Sequence, residues 1–100
     1  MGIVVQKFGG SSVADVKKLE VVSEHIIKEV ENNNKVVVVV SAQGKTTNKL
    51  IFEEEEITKA PSKREHDVLV SVGEQITIAK LAMMLQKKGY KAISLTGWQI

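Results

Sequence analysis

At 100 residues, 43% hydrophobic and 26% charged, the chain can close one hydrophobic core but not two domains. Fourteen Lys and Arg against twelve Asp and Glu leave a formal charge of +2, with Arg64 the single arginine and 4% aromatic content; this argues against a nucleic-acid-binding stripe or stacking platform. The absence of cysteine removes disulfides, thiolate metal sites and cysteine nucleophiles.

Met1 to Lys7 lacks the basic stretch, apolar core and cleavage site of a signal peptide, and Gln6 stands where a myristoylation signal needs Ser or Thr. No apolar run approaches the ~20 residues of a membrane span. No membrane association and a cytoplasmic location are therefore expected.

Ile3 to Phe8 opens with Ile-Val-Val and predicts a short buried strand. Gly9-Gly10-Ser11 punctuates it, and Ser12 with Asp15 offers a capping box for a helix. Val16, Leu19, Val22, Ile26 and Val30 recur at spacings of three and four, on one face. Glu24 and Lys28 have the spacing and order of a helical ion pair. Asn32-Asn33-Asn34 should end that helix, since short amides compete for backbone hydrogen bonds and tolerate left-handed conformations.

The valines at 36–40 predict a strand buried on both faces. Ser41-Ala42-Gln43-Gly44 breaks it, and a helix follows from about Thr47 through Thr58. Within it, Glu53-Glu54-Glu55-Glu56 reads as a solvated helix face. Pro61 stops that element, and Ser62 with Glu65 offers a second capping box. Val68, Val72, Ile76, Ala79 and Met83 then mark one face of a long helix ending at Gly89. Gly73 inside it costs roughly 1 kcal/mol relative to alanine; tight packing or a nearby ligand would justify it. Ala92 to Leu95 reads as a third strand, leaving a sheet edge uncovered at Trp98-Gln99-Ile100. The order is that of an α/β domain, with helices on both faces of a parallel sheet.

In such sheets ligands bind beyond the carboxyl ends of the strands. Lys7 to Ser12, Ser41 to Thr47 and Thr96-Gly97-Trp98 lie there. Gly9 and Gly10 let backbone amides approach an anion, with Lys7 adding a cation; equally, the two glycines make a turn and Lys7 is solvated. Gly44-Lys45-Thr46 is not a P-loop, because Val39 stands where GxxxxGK[ST] requires glycine. Ser41, Thr46 and Thr47 can still hydrogen-bond a carboxylate or phosphate. His25 and His66 belong to no zinc motif and read as surface or boundary residues, so no metal site is expected. Glu74 follows Gly73 beside the apolar face, where an unpaired carboxylate is expensive; a cationic ligand group or a lysine of the fold would resolve that cost.

Together, Lys7-Phe8-Gly9-Gly10-Ser11-Ser12-Val13-Ala14, Val39-Val40-Ser41-Ala42-Gln43-Gly44-Lys45-Thr46-Thr47-Asn48, Pro61-Ser62-Lys63-Arg64-Glu65, Gly73-Glu74-Gln75 and Ser94-Leu95-Thr96-Gly97-Trp98-Gln99 resemble successive motifs of the aspartate kinases. The resemblance spans the chain in family order. It implies a three-layer α/β/α, Rossmann-like parallel sheet of the amino-acid-kinase type. Residues 1–100 would be the N-terminal, aspartate- and phosphoryl-binding portion of the catalytic domain, with the nucleotide half and ACT regulatory domains absent.

The implied reaction moves the γ-phosphoryl of ATP to the side-chain carboxylate of L-aspartate, giving 4-phospho-L-aspartate, the first step toward lysine, threonine and methionine. ATP and Mg2+ would serve the full-length enzyme and not bind tightly to this chain alone. The rest of the kinase domain and a homo-oligomer are the implied partners. By resemblance Lys7 stabilises the transferring phosphoryl group and is catalytic. Gly9, Gly10 and Ser11 line the phosphate path; Ser41 and Thr47 hold aspartate; Glu74 receives its α-ammonium. Ser11 stands for the usual threonine, Gln43 for methionine, Asn48 for aspartate, and Glu53 to Glu56 for alanine and leucine. The alternatives are a non-catalytic α/β fragment or assembly module, or another amino-acid kinase. The 100 residues alone are expected to be inactive.

Overall fold

The computed structural model describes residues 2–96 and Gln99; the expected motif at Gly97 and Trp98 lies outside them. The elements are β1 (Ile3–Phe8), α1 (Val16–Glu31), β2 (Lys35–Val40), α2 (Thr46–Ile57) and α3 (Lys63–Lys87). β1 and β2 pair in parallel, in register from Ile3 opposite Lys35 to Phe8 opposite Val40. The parallel α/β class is as expected.

Alternation along each strand sends Val4, Phe8, Val36, Val38 and Val40 toward the helices. There Phe8, Val36, Val38 and Val40 pack against a core of Val13, Leu19, Val22, Ile26, Leu81 and Leu85. α1 and α3 both contribute to that core, so they cover the same face. Ile3, Val5, Val37 and Val39 on the opposite face are exposed by 73%, 66%, 51% and 47%. The expectation of a β2 covered on both faces is corrected: a valine run marks a strand, but the covering layer must come from other residues, and none of those described supplies it.

Helix ends follow local chemistry. Asp15, not Ser12, caps α1, its Oδ1 accepting from the Lys18 amide at 2.9 Å. Ser12 instead closes a turn, its amide donating to the Gly9 carbonyl at 3.1 Å. Asn32 caps the C-terminus and Asn33 turns left-handed at φ 66°, as the amide triplet suggested. Ser62 caps α3 through the Glu65 amide at 3.3 Å, but the Glu65 carboxylate takes Arg64 at 2.7 Å and leaves the second half of the box unmade. Gly89, at φ 91°, lets the chain leave α3. Glu24 and Lys28 form no salt bridge among the described residues.

Two larger expectations change. α3 buries Gly73, Thr77, Leu81 and Leu85, whereas Val68, Val72, Ile76 and Met83 are exposed; the buried face is the one carrying small residues. Residues 91–96 form neither strand nor helix. A cavity of about 750 Å3 lies between this segment, β2, α1 and α3, and a strand without a neighbour's ladder has nothing to hold it. By length and composition alone α3 is apolar enough to cross a membrane, although Glu74 and Lys80 interrupt its apolar run. Here it packs against α1 and α2.

Candidate functional site

The site is built where β1 and β2 end. The Ser41 amide continues the parallel ladder, donating to the Phe8 carbonyl at 3.2 Å, so the loops after the two strands leave side by side. They are then tied by the Gly44 amide, which donates to the Gly10 carbonyl at 3.0 Å. Gly10 must be glycine for this approach: a Cβ there would lie 2.9 Å from the Ala42 carbonyl oxygen. Gly9 has open space where its Cβ would be. The amides of Gly9, Gly10 and Ser11 donate to no acceptor among the described residues. Three consecutive N–H groups are thus left without a partner inside the described fold.

The loop after β2 also meets α3. A Cβ on Gly73 would come within 2.7 Å of the Ala42 Cβ, 3.5 Å of the Thr46 Cγ2 and 3.6 Å of the Thr47 Oγ1. Tight packing therefore accounts for this glycine. It seats the start of α2 directly against α3, one residue before Glu74. Lys45 caps α2 without a side-chain hydrogen bond, and the Thr47 and Asn48 amides find no acceptor among the described residues. The positive end of α2 is thus open to an anion.

The expected site residues divide by position. Gly9, Gly10 and Ser11 form the turn after β1. Ser41 and Thr47, both half-buried, flank the loop that touches that turn. Glu74 follows Gly73 on α3 and is exposed, so the burial cost inferred from sequence is not incurred and no lysine of the fold is needed to offset it. Lys7 is exposed on β1 opposite Val39, sharing the uncovered face with Ile3 and Val5. It makes no salt bridge among the described residues.

Two features escaped the sequence. Gln43 is buried, its Nε2 donating to the Val13 carbonyl at 2.9 Å while its Oε1 accepts from Lys80 Nζ at 2.8 Å. It thereby joins both loops to α3. Glu54, read as part of a solvated face, is instead buried and accepts from His66 Nδ1 at 2.6 Å. In a four-glutamate run no periodic signal says which one turns inward. Among the described residues no group of three or more His, Asp or Glu could hold a metal ion.

Comparison with known proteins follows the same lines. The chain is 58% identical over 99 residues to an aspartokinase of Geobacillus stearothermophilus, and 52% identical over 99 residues to aspartokinase 2 of Bacillus subtilis (strain 168). Each match covers 99% of this chain and 24% of the relative, so the chain spans about a quarter of those proteins' length. The crystal structure of aspartate kinase from Synechocystis superposes with a TM-score of 0.93 at 47% identity, over 98% of this chain and 17% of that one. The model of the amino acid kinase family matches residues 2–100, and the chain belongs to that family.

Proposed function

We propose that these residues form the acceptor- and phosphoryl-binding part of an aspartate kinase, which in its full length transfers the γ-phosphoryl of ATP to the side-chain carboxylate of L-aspartate. The observation that carries this reading is the meeting of three anion- and cation-receptive segments at one end of the sheet. These are the unpaired amides of residues 9–11, the open start of α2 at Thr47, and Glu74 beside Gly73. The names and identities of the relatives supply the choice of aspartate.

In the reaction an aspartate carboxylate oxygen forms a bond to the γ-phosphorus as the bond from phosphorus to the bridging oxygen breaks, and ADP leaves. The amides of Gly9, Gly10 and Ser11, with the Lys7 ammonium, receive charge on the phosphoryl oxygens. Ser41 and Thr47 orient the acceptor, and Glu74 receives its α-ammonium. Magnesium would offset phosphate charge when bound. Mg2+ is ordinarily held by substrate phosphates, waters and one or two carboxylates, and among the described residues no group of three or more His, Asp or Glu is placed to hold a metal ion. The cytoplasmic setting and homo-oligomer remain part of this proposal.

The full-length protein, assayed with ATP, Mg2+ and aspartate, tests it through two substitutions. Lys7→Ala should lower kcat at least ~100-fold, as loss of one transition-state donor does, with a smaller change in aspartate KM. Glu74→Gln should act mainly on aspartate KM, because the α-ammonium keeps its charge throughout the reaction. An unchanged aspartate KM in Glu74→Gln would remove the ammonium assignment. Turnover with glutamate or acetylglutamate in place of aspartate would point to another amino-acid kinase. The 100 residues alone should show no turnover above a Lys7→Ala control.

A further inference from the structure

Thr47 stands near the start of α2, and α2 is loosely held. Among the described elements it packs on α3 alone. Its one buried side chain is Glu54, while Phe52 and Ile57 are exposed by 65% and 84%. Among the described residues no apolar side chain of this helix is fully buried.

Two of the contacts between α2 and α3 are spaced alike. Thr47 to Glu54 is seven residues, and so is His66 to Gly73. Seven residues make two turns, about 10.5 Å along one face of a helix. At one end Thr47 Oγ1 lies 3.6 Å from where a Gly73 Cβ would stand. At the other, His66 Nδ1 donates to Glu54 Oε1 at 2.6 Å. The helices therefore run antiparallel in one register, with Thr47 against Gly73 and Glu54 against His66. Leu50, Ile51, Leu69 and Val70 are half-buried and apolar, and such side chains tolerate a slide. A hydrogen bond does not, since it weakens steeply with distance and angle. The Glu54 side chain is 11% exposed and that of His66 35%, so water competes poorly for the carboxylate.

We infer that the Glu54–His66 hydrogen bond sets the register of α2 on α3 and thereby places Thr47 beside Glu74. Glu54 and His66 are positioning residues for the amino-acid acceptor and touch no substrate. The inference rests on the aspartate-binding reading above.

Full-length protein carrying His66→Leu should raise aspartate KM about fivefold, the loss of roughly one ordinary hydrogen bond from Thr47. Its kcat and ATP KM should stay within about twofold of the parent. His66→Asn, whose amide can donate from near the Nδ1 position, should restore the parental KM. Hydrogen exchange of the α2 amides should quicken in His66→Leu and recover in His66→Asn. A lowered melting temperature with parental aspartate KM would reduce the pair to a stability contact and overturn the proposal, as would failure of His66→Asn to rescue. If His66→Leu does not fold, Glu54→Leu/His66→Leu leaves no unpaired buried charge and takes its place; a parental KM there overturns the proposal. A parent without aspartate turnover defeats the substrate reading alone. The exchange measurement still judges the hydrogen bond, and unchanged α2 exchange in His66→Leu overturns it.

Discussion

Gly73 shows how one missing methyl can shape a site. Alanine would favour the helix by about 1 kcal/mol, but its Cβ would stand 2.7 Å from the Ala42 Cβ. Both atoms are fixed to backbone, so relief requires moving the loop after β2 or α3, and such overpacking costs about 1–3 kcal/mol. Crowding should outweigh propensity. Gly73→Ala should lower the melting temperature and, by pushing Thr47 from Glu74, raise aspartate KM in the full-length protein. A melting temperature at or above the parent's would show that the contact has slack. The sequence displayed the cost of this glycine but not its cause, because the atom it avoids belongs to Ala42, 31 positions away in the chain. Glu74 was misjudged for a related reason: its place beside an apolar stripe suggested burial, whereas that stripe faces outward. Local pairs were easier to read. Ser62 caps α3 through Glu65, and Asn33 takes the left-handed turn, since both depend on neighbours within a few residues. The phenol of Tyr90 depends instead on a residue 59 positions away in the chain: its hydrogen bond to Glu31 pushes its pKa above the ordinary value.

Elements were legible in type and order, and less so in orientation. β1, α1, β2, α2 and α3 all lie where hydrophobic period and breakers place them. The face of α3 did not follow, because its apolar residues surround the helix: Val68, Val72, Ile76 and Met83 on one side, Leu81 and Leu85 on another. With no dominant stripe, close approach decides, and Gly73 and Thr77 permit it. The start of α1 makes the same point about caps. Both Ser12 and Asp15 are suitable residue types, but the turn from Gly9 to Ser12 uses up the residues before the helix. Asp15→Ala should destabilise the fold by about 1 kcal/mol, the usual worth of an N-cap, while Ser12→Ala should be nearly neutral. Thermal melts of the two variants check this, and an equal loss from both would restore the earlier start. The segment after α3 has apolar strand-like composition, yet composition cannot supply the hydrogen-bonding neighbour that makes a strand.

At the scale of the whole molecule, the described residues do not close around their core. The radius of gyration is 15.3 Å, against about 13 Å for a compact domain of this length. One sheet face packs on α1 and α3, while Ile3, Val5, Val37 and Val39 line the other and meet water. The register sets Val5 directly opposite Val37, with Lys35 across from Ile3 and Lys7 across from Val39. Two lysines at the ends of an apolar patch leave its centre without charge, and the exposed stripe of α3 adds a second such surface. Burying apolar area stabilises by about 25 cal/mol per Å2, so pairing these faces between copies opposes the association entropy and should outweigh it as concentration rises. The 100-residue chain alone should therefore self-associate in a concentration-dependent way. Val5→Lys combined with Val37→Lys should shift the association to higher concentration, because like charges opposite one another in the ladder repel and resist burial. Light scattering and analytical centrifugation across a dilution series read both proteins. If the parent is a monomer throughout, with cooperative unfolding, the uncovered face is tolerated by water and this account of it fails. If both proteins associate equally, the contact lies elsewhere, and the exposed stripe of α3 becomes the surface to substitute next.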